Sequence, residues 1–137
     1  RPEGQRLDGL HVLLVEDNEI NQEIAKELLL MEGASVDVAD NGEQALNIFA
    51  RSEEGYYQLV LMDIQMPVMD GYTATAALRS LRRDDAKTAI ILAMTANVFS
   101  DDVIKAEASG MNGHISKPFD PDKLYAMIAA SCHKKRG

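Results

Sequence analysis

Acidic residues close two apolar segments of the sequence. Glu16 and Asp17 directly follow Val12–Val15, and Asp63 follows Leu59–Met62. In an open parallel sheet, the carboxyl ends of neighbouring strands meet in one crevice, where ligands bind. Carboxylates crowded into such a crevice repel one another unless a divalent cation neutralises them. The pattern therefore predicts a magnesium-dependent phosphoryl-transfer site.

The acidic residues differ in the roles that they suit. Asp63 is the candidate nucleophile, because a carboxylate can attack phosphorus directly and form an acyl phosphate. Asp17 is expected to hold Mg²⁺ directly and Glu16 through water, since Mg²⁺ gives up its waters reluctantly. The backbone carbonyl of Gln65, just past the nucleophile, would complete the metal shell. An aspartate after a strand also commonly caps a turn or helix; the nearby acids favour the chemical role.

Two further polar residues follow other apolar segments. Thr95, followed by Ala96, is expected to donate its hydroxyl to one phosphoryl oxygen, and Lys117 to supply a positive charge to another. Taken singly, each is better explained by a structural role: Thr95 as a β-branched strand end and Lys117 as a solvated surface lysine. At neighbouring strand ends, Thr95, Ala96 and Lys117 are expected to form the phosphoryl-binding part of the site.

Strand and helix signals alternate along the chain. The expected strands are Val12–Val15, Ser35–Ala39, Leu59–Asp63, Ala89–Met94 and Gly113–Ser116. The first expected helix is capped by Asn18, and the second begins with a capping box of Asn41 and Gln44. The third starts near Asp70-Gly71 and has its body at Thr73–Arg82. The fourth spans Ser100–Ser109, and the last is capped by Asp120. In the first helix, apolar residues recur at helical spacing: Ile20, Ile24, Leu28 and Met31.

This alternation predicts an α/β fold of five βα units. Strands separated by single helices imply a parallel sheet with right-handed crossovers. In a doubly wound five-stranded sheet of order 2-1-3-4-5, the switch point lies between the first and third strands. Glu16, Asp17 and Asp63 end those two strands, so topology and chemistry agree.

Composition limits the class of protein. The chain has 137 residues, 46% of them hydrophobic, which suits one domain at 10–131 between a linker at 1–9 and a basic tail at 132–137. Its single cysteine, Cys132, excludes an internal disulfide and suits a reducing cytoplasm. The net charge of −8 disfavours nucleic-acid binding. The apolar runs are too short for a membrane span, so direct membrane contact is not expected.

Together these motifs resemble the receiver (response-regulator) domain family. The matching segments are Val15–Asn18, Leu61–Gly71, Met94–Ala96 and Lys117-Pro118, and the resemblance covers roughly Leu10 to Ser131. It implies a flavodoxin-like fold and phosphorylation of Asp63 from a phosphohistidine, with Mg²⁺ as cofactor and Mn²⁺ as a substitute. It further implies slow self-hydrolysis and a conformational switch through Thr95 and Lys117. His114 stands where the family often carries an inward-swinging aromatic residue.

The run Leu14–Gln22 is similar to receivers attached to hybrid sensor histidine kinases. With the linker-like start, this similarity suggests the C-terminal receiver of such a kinase. The domain is then expected to be a cytoplasmic phosphoacceptor rather than a turnover enzyme. The parent chain can be membrane-anchored. The implied partners are a histidine kinase transmitter or a histidine phosphotransfer domain. The resemblance also suggests a homodimer through the face formed by the fourth helix, the fifth strand and the last helix.

Three other functions are less well supported. A hydrolase of the haloacid-dehalogenase kind needs a second aspartate two residues after the nucleophile, where this chain has Gln65, which cannot transfer a proton. A flavodoxin needs a hydroxyl-rich phosphate loop, and the acidic Glu16–Glu19 segment would repel the phosphate. A pseudo-receiver serving only for protein interaction would not need the intact acidic site.

Overall fold

The computed structural model describes residues 7–64, 66, 68–95, 101–116 and 120–136, with the backbone alone at 101–103, 106 and 132–136. The strands are β1 (His11–Val15), β2 (Ser35–Ala39), β3 (Leu59–Asp63), β4 (Ile90–Thr95) and β5 (Gly113–Ser116). The helices are α1 (Glu19–Met31), α2 (Gly42–Arg51), α3 (Gly71–Arg79), α4 (Asp85–Thr88), α5 (Asp101–Ser109) and α6 (Pro121–Arg136). The predicted bounds of β2, β3 and β5 are confirmed, and those of β1 and β4 differ by one residue.

The strands form one parallel sheet of order β2-β1-β3-β4-β5, which confirms the predicted doubly wound fold. Each strand alternates its side chains between two apolar layers. Leu13 and Val15 pack with Phe49 of α2, whereas Val12 and Leu14 pack with Leu29 of α1. Helices α2 and α3 contribute to the first layer, and α1 and α6 to the second. Because both faces are covered, the central strands read as continuous apolar runs.

The side of α1 that faces the core is not the stripe marked by its larger apolar residues. Ala25 and Leu29 are buried, whereas Ile20, Ile24 and Met31 are 71%, 46% and 65% exposed. The stripe was a correct sign of a helix, and of its four residues Leu28 alone packs against the core. Apolar residues occupy adjacent sides of this helix, and periodicity alone does not decide which side meets the sheet.

Side-chain caps begin α1, α2 and α6 at the residues that the sequence suggested. The Oδ1 atoms of Asn18 and Asn41 each accept a hydrogen bond from the backbone N–H three residues later, and Asp120 Oδ1 accepts one from the N–H of Asp122 at 3.0 Å. Asp70, where the sequence indicated only an approximate helix start, also caps α3, because its Oδ1 accepts from the N–H of Thr73. The capping box at α2 is modified: Gln44 Oε1 accepts from the N–H of Asp40, one residue before the cap.

The helices between β3 and β4 differ from the prediction. Helix α3 begins at Gly71, directly after its cap at Asp70, which confirms the predicted start, but it ends at Arg79 rather than at the predicted Arg82. The short helix α4 was not predicted, because four residues carry no helical periodicity. Ala89 caps α4, and β4 therefore starts at Ile90.

Both ends of the predicted domain extend further. Leu7 is buried, and its N–H donates to the main-chain oxygen of Glu32 at 2.8 Å, so this part of the predicted linker packs on the domain. Helix α6 continues through Arg136, into the predicted basic tail. Among the described residues, no helix is both long and apolar enough to span a membrane.

Candidate functional site

Three carboxylates meet at the carboxyl edge of the central strands. Glu16, Asp17 and Asp63 each offer an oxygen, and these oxygens lie within 4.8 Å of one another. Glu16 and Asp63 are buried, whereas Asp17 is exposed. Ionised carboxylates buried side by side are costly unless a positive charge compensates them. An all-oxygen set open to solvent on one side suits a hard divalent cation that retains some of its waters.

The register of the sheet brings the site residues to the same edge. Val15 pairs with Met62, so Glu16 and Asp63 each come one residue past this pair. Asp63 pairs with Met94, which places the buried Thr95 one residue further along the next strand. The N–H of Ile64 donates to the main-chain oxygen of Met94 at 3.3 Å and so extends the ladder beyond Asp63.

Helix α3 begins directly against the candidate phosphoacceptor. A Cβ atom at Gly71 would overlap the main-chain oxygen of Asp63 and lie 2.8 Å from the Cα of Ile64. The N–H of Gly71 also donates to the main-chain oxygen of Ile64 at 3.4 Å. Only a residue without a side chain allows this approach. From the sequence, Gly71 was recognisable as a helix boundary but not as a residue that positions Asp63.

Two amide side chains from α1 hold Glu16. Asn21 Nδ2 donates to Glu16 Oε1 at 2.8 Å, and Gln22 Nε2 donates to the main-chain oxygen of Glu16 at 2.5 Å. Gln22 Nε2 also donates to Asp40 Oδ1 at 2.9 Å. No chemical role was predicted for these amides. Their position one helical turn after the acidic pair was the available signal.

Three predicted site residues lie outside the described part of the chain: Gln65, Ala96 and Lys117. Their assigned roles remain predictions. The described register does bring the end of β5 to the site, because Ser116, which precedes Lys117 in the sequence, pairs with Thr95.

His114 lies on the edge strand β5, where it pairs with Ala93. It is half-buried and lines a groove of about 480 Å³ together with Lys123 and Met127 of α6. The residue is thus on the predicted dimer face, next to space in which a ring can turn. Its role as a switch remains a prediction.

A charged network lies at the opposite end of the strands from the acidic cluster, near the starts of β3 and β4. Arg83 donates to both oxygens of Asp85 at 2.6 and 2.8 Å, and this hydrogen bonding lowers the pKa of Asp85 despite its burial. Arg83 also donates to the main-chain oxygens of Phe49, in the last turn of α2, and of Ser52, its C-cap, both at 3.0 Å. These contacts join the end of α2 to the segment around α4.

The hydroxyl of Tyr57, two residues before β3, is also held by a hydrogen bond. Tyr57 Oη donates to Asp37 Oδ2 at 2.6 Å, and burial together with this hydrogen bond raises the pKa of Tyr57 above its usual value. The bond joins the segment before β3 to the edge strand β2.

Known proteins match both the sequence and the fold. The sequence model of the response regulator receiver domain matches residues 12–129. Hybrid signal transduction histidine kinase I of Dictyostelium discoideum is 35% identical over 127 residues, which cover 91% of this chain and 7% of that protein. Transcription factor SKN7 of Candida albicans is 43% identical over 119 residues, which cover 87% of this chain and 20% of that protein. The chain therefore spans only a small part of these relatives.

A solved structure extends the match to three dimensions. The receiver domain of sensor histidine kinase PA1611 from Pseudomonas aeruginosa is 34% identical, with a TM-score of 0.80 over 89% of this chain and 96% of that one. That structure has a magnesium ion coordinated in its active site cleft. The predicted receiver resemblance is confirmed. With its parallel sheet, its acidic edge and a family match over most of its length, the chain belongs to the response regulator receiver domain family of two-component signalling, whose common function is phosphoryl transfer to an aspartate.

Proposed function

We propose that Asp63 is the phosphoacceptor of this domain and that Mg²⁺ is required for its phosphorylation. The observation that carries the proposal is the convergence of the Glu16, Asp17 and Asp63 oxygens within 4.8 Å at the switch point of the sheet. Family membership supplies the reaction class. The buried position of Asp63 at the end of β3 supports its assignment over the exposed Asp17.

The reaction is a phosphoryl transfer from a phosphohistidine. An oxygen of the Asp63 carboxylate attacks phosphorus, and the new P–O bond forms as the P–N bond breaks. The imidazole nitrogen leaves with its electron pair and takes up a proton. Water later attacks the phosphorus of the acyl phosphate, which returns the carboxylate and inorganic phosphate.

Glu16, Asp17, Asp63 and the backbone carbonyl of Gln65 would hold the Mg²⁺, with Mn²⁺ as a substitute. When bound, the cation neutralises the acidic cluster and the charge of the phosphoryl oxygens. Thr95 supports the phosphoryl-binding role, since it is buried at the end of the adjacent strand. Ala96 and Lys117 complete this part of the proposal, and His114 is the proposed switch position.

The phosphodonor is a histidine kinase transmitter or a histidine phosphotransfer domain, and the parent chain is a hybrid histidine kinase. A donor must reach Asp63 from the side on which Asp17 is exposed. The apolar side chains of Ile20 and Ile24 lie exposed on the helix that starts there, and exposed apolar groups of this kind commonly mark protein contacts. Their exposure supports a docking surface on α1. We also propose a homodimer through α5, β5 and α6.

The experiment is phosphorylation with acetyl phosphate, followed by intact mass. The wild-type protein should gain one phosphate in Mg²⁺ and none in excess chelator. Asp63→Asn should gain none, whereas the control Asp122→Asn, at an exposed position in α6, should behave as the wild type. Equal labelling of Asp63→Asn and wild type would contradict the assignment.

A further inference from the structure

The carboxylate of Glu16 is held by an amide from the first turn of α1. Asn21 Nδ2 lies 2.8 Å from Glu16 Oε1, and the Glu16 side chain is 1% exposed within the acidic cluster. A hydrogen bond from a neutral donor to a buried carboxylate stabilises the ionised group and fixes its rotation. The Asn21 amide therefore opposes the repulsion that Asp17 and Asp63 exert on the Glu16 carboxylate.

The contact is not needed to begin the helix. The main-chain N–H of Asn21 donates to Asn18 Oδ1 at 3.0 Å, so the helix cap uses the backbone of Asn21 and leaves its side chain for Glu16. In a common capping box, a residue at this position folds back onto the backbone of the cap. Here the amide is instead directed to the acidic cluster.

The main chain of Glu16 is fixed by other groups. Its N–H donates to the main-chain oxygen of Ala39 at 3.1 Å, and its own main-chain oxygen accepts from Gln22 Nε2. Loss of the Asn21 amide would therefore leave the Glu16 backbone in place and remove one of the contacts that orient its carboxylate. This separation makes the role of Asn21 testable without rebuilding the strand end.

We propose that Asn21 is a positioning residue for the divalent cation, acting through Glu16 to set the affinity and selectivity of the acidic site. The proposal rests on the proposed function, because it assumes that this cluster binds Mg²⁺. Partners that orient a metal ligand typically contribute about 10- to 100-fold to metal affinity. A fixed Glu16 also favours Mg²⁺, which demands near-ideal octahedral geometry, over Ca²⁺, which tolerates irregular sites.

The test is titration calorimetry of the metal-free protein with Mg²⁺ and with Ca²⁺. Asn21→Ala should weaken Mg²⁺ binding by about tenfold or more and Ca²⁺ binding by less, so that the ratio of the two affinities falls. Asn21→Gln, which retains an amide donor, should recover part of the Mg²⁺ affinity.

Asn41→Ala is the matched control, since Asn41 caps α2 and makes its cap contact with the N–H of Gln44. It should lose stability and keep the wild-type affinities. Equal Mg²⁺ affinity and an equal Mg²⁺-to-Ca²⁺ ratio in Asn21→Ala and Asn41→Ala would overturn the role of Asn21. Failure of the wild-type protein to bind Mg²⁺ would instead overturn the proposed function itself, which separates the two outcomes.

Discussion

Arg79 is joined to Gly110 by two hydrogen bonds, from Nη2 at 2.8 Å and from Nε at 3.1 Å to the same main-chain oxygen. The guanidinium also donates to the main-chain oxygen of Ala89 at 2.7 Å and to Asn112 Oδ1 at 2.9 Å. It thus connects the ends of α3 and α5 to the starts of β4 and β5. Burial lowers the pKa of Arg79, yet a guanidinium stays charged where a lysine would readily lose its proton.

Arg79→Lys should therefore destabilise the domain although it retains a basic side chain. A single ammonium cannot reproduce the fork of hydrogen bonds, and we expect a loss of about 2 kcal/mol in the free energy of unfolding. Urea unfolding measures this loss. The exposed neighbour offers the control: Arg82→Lys should unfold at the wild-type midpoint. An unchanged stability in Arg79→Lys would show that the contacts to Gly110 and Ala89 contribute little.

The pair of Arg83 and Asp85 predicts a dependence of stability on pH. Hydrogen bonds from Arg83 lower the pKa of Asp85 in the folded state. Such a group contributes stability above its unfolded pKa of about 3.9, and the contribution disappears as the pH falls through the folded pKa. Asp85→Asn should thus lose on the order of 3 kcal/mol at neutral pH and less at low pH, because the wild-type carboxyl loses its own contribution as it is protonated.

Urea unfolding at the two pH values separates this effect from a general loss of packing. Asp84→Asn serves as the control, because Asp84 is exposed and its side chain makes no capping bond to α4. A deficit in Asp85→Asn that stays the same size at both pH values would contradict the linkage.

Gly71 tests the contact between α3 and the phosphoacceptor. A Cβ atom there meets the backbone of Asp63 and Ile64, so Gly71→Ala should cost about 1–3 kcal/mol and displace the Asp63 carboxylate. Gly42→Ala is also crowded, with the added Cβ 2.8 Å from Ala74 Cβ and from the Met69 oxygen, but it does not press on Asp63. Both variants should be less stable in urea, and only Gly71→Ala should lose acetyl phosphate labelling when assayed under folding conditions. Similar labelling rates in the two variants would argue against positioning by Gly71.

Asp17 tests the electrostatic balance of the cluster. Asp17→Asn removes one of the repelling carboxylates, so the metal-free protein should unfold at the same or a higher temperature than the wild type. Mg²⁺ at 100 times its Kd should stabilise the wild type by about 2.7 kcal/mol and so raise its melting temperature. The melting temperature of Asp17→Asn should stay nearly unchanged. The exposed Glu23→Gln in α1 should respond to Mg²⁺ as the wild type does. A strongly destabilised metal-free Asp17→Asn would mean that Asp17 has a structural role.

The sequence predicted the sheet well because its central strands are buried on both faces and therefore appear as short apolar runs with polar ends. The same signal located Glu16, Asp17, Asp63 and Thr95, since their positions follow directly from where strands end. Each of these residues could be placed from local pattern and topology alone.

Contacts between distant segments were not predictable in this way. The amide of Asn21 meets Glu16 only because α1 packs back against β1, and Gly71 meets Asp63 only because the β3–α3 connection returns to the strand end. The acceptors of Arg79 are mostly main-chain oxygens, which have no sequence signature. The sequence does not show which side of α1 faces the sheet for a related reason: Ile24 and Ala25 lie on adjacent sides of the helix, and only the packed sheet distinguishes them.

The most direct test of the central claim is to locate the phosphoryl group on the chain. Borohydride reduces an aspartyl phosphate to homoserine, so the protein is treated with acetyl phosphate and Mg²⁺, reduced, digested and mapped by mass spectrometry. We expect homoserine at position 63, abundant in Mg²⁺ and lost in excess chelator. Homoserine at position 17 instead, or modification of position 63 that is equally abundant without a divalent cation, would contradict it.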